Sequence, residues 1–190
     1  MFVLYTDLHD SDIIFQQIKA LNMTSSGYVW LVSEQSLESK HIPDGSIGTK
    51  LQHSNNKELH IRDSIYILGR ALRDVVQYEN LTKPPIDCSD ISGDNKWESG
   101  IKLFTYLKKQ NLLYGKTGTV AFDEKGDRIN SDYEIFNIIN GEKYLVGNYN
   151  FSQTKQKVIL TLNEKSIIWP GYEFMKPLGY KIKTHLRVAT

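Results

Sequence analysis

The chain has one cysteine, Cys88, in 190 residues, so no intrachain disulfide can form and a small disulfide-stapled scaffold is excluded. Taken alone, that count points to a reducing compartment. Long apolar runs are missing too. Stretches such as Tyr28 to Val32 are strand-sized, and none approaches the roughly eighteen residues of a membrane-crossing helix. Neither sign of charge is in excess: 23 Lys and Arg stand against 22 Asp and Glu, a net charge of +1. The clustered basic surplus of a nucleic-acid surface, or of a polybasic membrane patch, is therefore absent. The opening MFVLYTDLHD has no basic region and meets Asp7 and Asp10 at once, which is not the pattern of a signal peptide. What remains, with 40% hydrophobic and 24% charged residues, is a globular composition able to bury a core.

Periodicity supplies the elements. FVLYT (2–6) reads as a buried strand, and Asp10-Ser11-Asp12 offers a helix start with Ile14, Ile18 and Leu21 at helical spacing. GYVWLV (27–32) is a second strand, which makes a strand–helix–strand unit about thirty residues long. Its first turn, TDLHDSD, lacks a glycine-rich phosphate fingerprint, so a dinucleotide site is not expected. Residues 33–57 are turn-rich, with Ile47 and Leu51 marking a short strand. A long helix is predicted over 58–79, its apolar stripe being Ile61, Ile65, Leu68, Leu72 and Val75. Pro84-Pro85 lies beyond its end, and a third helix is predicted from Trp97 to about Leu113. From 117 to 163 the pattern is that of an antiparallel meander, with hairpin loops at Asp123–Asp127 and Asn140-Gly141. The fold class is thus α/β, with parallel layers and an antiparallel hairpin extension.

Candidate chemistry is sparse. His9, His41, His53, His60 and His185 form no metal-ligand spacing, and DEKGD lacks the alternating acids and distal Glu of a calcium loop. No nucleophile elbow occurs, and the acids beside Cys88 would raise its thiol pKa rather than activate it. No catalytic residue, cofactor site or metal site is nominated. Only Thr6 and Ser33 stand at strand ends where a carboxylate clamp would sit. Three N-glycosylation sequons remain, at Asn22, Asn80 and Asn150. Twelve asparagines and 26 Ser or Thr would yield one or two by chance, so the number decides nothing, but each falls at a predicted helix end or loop.

LNMTSSGYVWLVSE (21–34), ENLTKPPIDC (79–88), WESG (97–100), GTVAFDEKGDR (118–128) and IIWPGYEFMKPLGY (167–180) resemble the amino-terminal domain of NMDA-type ionotropic glutamate receptor subunits, the glycine-binding type above all. The resemblance runs in order along essentially the whole chain. It implies part of a two-lobed, periplasmic-binding-protein-like (type I) clamshell that the chain crosses several times. Residues 1–48 would be a second-lobe portion, 49–116 a two-helix return to the first lobe, and 117–190 second-lobe hairpins leading toward a ligand-binding domain. It further implies a partial segment, on the extracellular side of a postsynaptic plasma membrane, of a channel built with other NMDA receptor subunits. No catalysis and no membrane insertion by this segment are expected. Glycans on Asn22, Asn80 and Asn150, and a disulfide from Cys88 to a cysteine upstream of Met1, follow from the resemblance, which reverses the compartment that a lone cysteine suggests. The rivals are an amino-acid-binding lobe of another protein of the same fold and a small cytosolic α/β enzyme.

Overall fold

The computed structural model describes residues 1–84, 97–152, 154–155 and 157–178. β1 (Phe2–Leu4), α1 (Leu8–Ala20) and β2 (Trp30–Val32) form the expected strand–helix–strand unit, with Phe2, Val3 and Leu4 parallel to Trp30, Leu31 and Val32. β3 (Ile47–Leu51) pairs parallel to β2. Asp7 starts α1 by accepting the Asp10 N–H at 2.9 Å. The helix stops in a Schellman turn, where Met23 N–H donates to Ile18 O and Asn22 N–H to Lys19 O, Asn22 standing at φ 55°. The buried face is Ser11, Phe15 and Ile18; of the expected stripe Ile18 is buried and Ile14 packs partly buried against the core, whereas Leu21 does not. Leu21 is the C-cap, so its side chain leaves the helical stripe and is 68% exposed.

α2 (Lys57–Tyr78) is capped by Asn56, whose side chain accepts the Leu59 N–H. Its buried row is Asp63, Ile67, Ala71 and Val75, four residues apart. The stripe expected to pack is therefore corrected: Val75 is buried, but Ile61 and Ile65 are 58% and 65% exposed, and Leu68 and Leu72 are exposed as well. α3 (Glu98–Lys108) packs on α2 and stops five residues short of the expected Leu113. Residues 112–115 instead form β4 (Leu112–Gly115), which turns through Lys116-Thr117 into β5 (Gly118–Phe122) and on to β6 (Arg128–Ile129). Leu112 and Leu113 continue the helical period in sequence, which hides the switch.

β7 (Tyr133–Ile139) and β8 (Glu142–Ser152) are joined by Asn140-Gly141, both at positive φ (54° and 74°), as a type I′ turn requires. β9 (Lys157–Leu162) follows. One mixed sheet runs in the order β1-β2-β3-β7-β8-β9, and a separate antiparallel sheet in the order β4-β5-β6. The run expected as one meander is thus divided between two sheets. β7 runs against β3, since Gly45 N–H bonds Ile138 O while Gln52 N–H bonds Asp132 O.

By contact the chain forms two compact units, Met1–Lys50 with Glu134–Asn148 and Leu160–Thr190, and Leu51–Tyr133 with Tyr149–Ile159. In the first, Phe15, Ile18, Trp30, Val32, Leu37 and Ile138 make one core cluster, and Ile135, Val146 and Ile167 make another. Alternation along β7 sends Ile138 and Phe136 to one cluster and Ile135 to the other, so both faces of that strand carry apolar residues.

Candidate functional site

The carboxyl ends of β1 and β2 meet the first turn of α1, the place where an amino-acid clamp would lie in such a fold. The serine hydroxyls there are already used. Ser33 Oγ donates to Thr6 O at 3.3 Å and shares a 3.0 Å bond with Ser36 Oγ, and Ser11 Oγ bonds both Asp7 O and Ser36 Oγ. Asp7 caps the helix and Asp10 occupies its first turn, so the positive end of α1 already faces two carboxylates. An incoming carboxylate meets repulsion rather than a nest of donors.

A wider concavity lies elsewhere in the first unit. It holds about 470 Å³ and is lined among others by Gln16, Lys19, Thr24, His41, Asp44 and Tyr172. Asp44 is committed: Oδ1 accepts the Gly141 N–H at 2.9 Å and Oδ2 accepts the Tyr172 hydroxyl at 2.8 Å. That hydroxyl sits 3.0 Å from Asn140 Oδ1, and Tyr172 stands in the left-handed region at φ 60°. Accepting the phenolic hydrogen, the Asp44 carboxylate raises the Tyr172 pKa above its ordinary value. Gly171 fits against the 22–27 loop because a Cβ there would lie 2.7 Å from Ser26 N.

The second unit holds a buried latch that sequence reasoning missed. The Asp63 carboxylate accepts the Lys116 N–H at 3.0 Å, the Thr117 N–H at 2.8 Å and the Thr117 hydroxyl at 2.8 Å. Arg128 Nη2 donates to Thr117 O and Thr119 O on the same hairpin. Burial pushes the Asp63 pKa up, but the donors from Lys116 and Thr117 and the nearby Arg128 charge outweigh it and hold the carboxyl below its ordinary value. In the sequence Asp63 is only a charge four residues before Ile67, off the Ile61–Val75 stripe. The latch ties α2 to the hairpin, a structural role.

Asn22, Asn80 and Asn150 are all exposed. Asn22 occupies the Schellman turn and Asn80 follows α2, whereas Asn150 lies within β8 rather than in a loop. Asp123 Oδ1 accepts the N–H groups of Lys125, Gly126 and Asp127, each at 2.9 Å, so the DEKGD loop is a self-satisfied turn. His53 and His60 meet only through a ring nitrogen near the His53 carbonyl. Among the described residues, no group of three His, Cys, Asp or Glu is placed to hold a metal, and no helix is long and apolar enough to cross a membrane. Cys88 and His185 lie outside the described residues.

Residues 46–141 match the family described as the receptor family ligand binding region. Over 191 aligned residues, covering 100% of this chain, the sequence is 40% identical to Glutamate [NMDA] receptor subunit 1 of Drosophila melanogaster. The same subunit of Drosophila persimilis and of Drosophila ananassae is similar to the same extent. The chain spans 19% of the length of each of these relatives.

Proposed function

The chain belongs to the receptor family ligand binding region, and from that premise we propose that it is the extracellular amino-terminal regulatory and assembly segment of an NMDA-type glutamate-gated cation channel subunit, with no catalytic role. The observation that carries this reading is the 40% identity to NMDA receptor subunit 1 over the full chain. Channel activity belongs to the longer protein, and its other subunits are the partners of this segment. Lobe closure and rotation at a subunit interface are the means by which such a segment tunes gating at a distance. Its place is the outer face of a postsynaptic membrane. In this reading 1–48 and 117–190 belong to one lobe and 49–116 to the other, although residues 118–129 cluster with α2 and α3. The occurrence of α2 and α3 in one compact unit and of β1, α1 and β2 in the other supports a two-lobed origin.

The rival amino-acid-binding lobe is disfavoured by Ser33 and Ser11, whose hydroxyls are used internally. Glycans on Asn22, Asn80 and Asn150 belong to this proposal, supported by the exposure of all three. So does a disulfide from Cys88 to a cysteine outside the chain. The test is electrophysiological: a full-length subunit carrying this segment is co-expressed with other NMDA receptor subunits, with and without residues 1–190. Agonist-evoked current should persist on deletion while its time course and the yield of surface heteromers change. Complete loss of agonist response in channels that still reach the surface would sink the regulatory reading and favour the binding-lobe one.

A further inference from the structure

We propose that the concavity of the first unit seats the inner sugars of an N-linked glycan on Asn22, so that this glycan is ordered and shielded while those on Asn80 and Asn150 are not. The inference rests on the secretory placement argued above. Three observations carry it, the first being rigidity. Asn22 and Met23 close the Schellman turn of α1, Trp30 Nε1 donates to Met23 O at 2.9 Å, and Ser25 Oγ donates to Asn22 O. The backbone at the attachment point is therefore held in one conformation, which reduces the freedom a sugar fixed to it loses on docking.

Placement comes next. Thr24, the hydroxyl residue of this sequon, lines the concavity, as does Lys19 in the last turn of the helix that Asn22 terminates. The Gly171–Ser26 approach seats the same loop against the turn that carries Tyr172. Asn22 stands two residues before Thr24 and three after Lys19, whereas no residue of the Asn80 or Asn150 sequons lines this space.

The lining, which also includes Lys40, supplies donors and an aromatic face for a carbohydrate. Tyr172 is 55% exposed, yet its hydroxyl is held by donation to Asp44 Oδ2 with Asn140 Oδ1 3.0 Å away, which leaves an aromatic face able to stack on the C–H face of a pyranose. Among the described residues, the side chains of Gln16, Lys19 and His41 make no hydrogen bond or ion pair, so their donors remain for sugar hydroxyls and for an acetamido carbonyl. The one acid, Asp44, is consumed by Gly141 and Tyr172. A volume of about 470 Å³ suits one or two sugar rings, not a full antenna.

Site-resolved release of glycans by peptide N-glycosidase from the chain, produced through the secretory pathway and kept native, is the experiment. Release at Asn22 should be at least about tenfold slower than at Asn80 and Asn150, the ratio that about 1.4 kcal/mol of docking gives, and the difference should vanish in urea. The pair Gln16→Ala with His41→Ala, both surface side chains without partners, should bring Asn22 to the rate of the other two sites. Equal native rates, or slow release that the double variant leaves unchanged, overturn the docking while leaving glycosylation intact. An Asn22 found bare overturns docking and the glycosylation reading together, an outcome that peptide mapping distinguishes from the other two.

Discussion

Asp63 shows how one side chain stabilises a hairpin. Its carboxylate satisfies two backbone N–H groups and a hydroxyl in a buried place, so Asp63→Asn turns an amide nitrogen or a poorer acceptor toward donors that cannot reach water. The expected loss is about 1–3 kcal/mol in urea unfolding. Because the folded-state pKa is depressed, this contribution is fully present above the unfolded value near 3.9 and is lost as pH falls through the lower folded value. Stability of the unaltered chain should therefore fall on acidification below about pH 4 more steeply than that of the Asn variant. Parallel acid limbs would sink the assignment. Asn137 is the second such residue. It is fully buried, with Nδ2 donating to Ser46 O and Ile168 O while Oδ1 accepts the Ile168 N–H. Asn137→Leu leaves the Ile168 N–H and C=O without this partner, while Ser46 O keeps the Ile138 N–H, and about 3 kcal/mol of unfolding free energy should be lost in chemical denaturation. A loss below about 1 kcal/mol would mean that water replaces the amide.

Among the elements, α2 carries two apolar rows with different fates. Ile67 is buried against its surroundings, whereas Ile65 is 65% exposed. Ile67→Ala should cost about 2–4 kcal/mol by leaving a cavity. Ile65→Lys should change stability by no more than about 0.5 kcal/mol, yet lower any self-association of the isolated chain, because Ile61, Ile65, Leu68 and Leu72 present a contiguous exposed row. Sedimentation and unfolding run on both variants check the pair; equal stability losses would show that the rows are assigned wrongly. The Asn140-Gly141 turn was readable locally, because positive φ at two successive positions selects those residue types wherever a hairpin is closed. The third helix was not readable to its end. A leucine pair keeps the helical period through 112–113, whereas the strand is set by pairing across the hairpin, Leu112 with Val120 and Gly115 with Gly118.

For the molecule as a whole, the proposed role separates the segment from the agonists. Asp7 and Asp10 hold the helix end that an amino-acid carboxylate would need, and Ser33 and Ser11 are bonded inward. Titration of the chain with millimolar glycine or glutamate should give no saturable heat; a saturable isotherm would promote the binding-lobe reading. In the longer protein Cys88 should resist thiol labelling until reduction, the bridge contributing about 2–5 kcal/mol to stability. Labelling without reductant would remove the disulfide from the proposal.

Element type and order along β1, α1, β2, β3 and α2 were legible in the chain, as were the two hairpin loops, because capping, period and turn chemistry act within a few residues. The motifs also carried the family, through local runs that keep their order. Which face of α1 or α2 is buried was not legible. The exposed row of α2 is the more apolar of the two, and only the partner, α3 and the β4–β5 hairpin with Asp63 beneath it, selects the other. The same holds for the division of 117–163 between two sheets and for the concavity beside Thr24. Both depend on pairings and approaches between residues far apart in sequence, such as Gly45 with Ile138 and Ser26 with Gly171, whose energies exist only once the chain has packed.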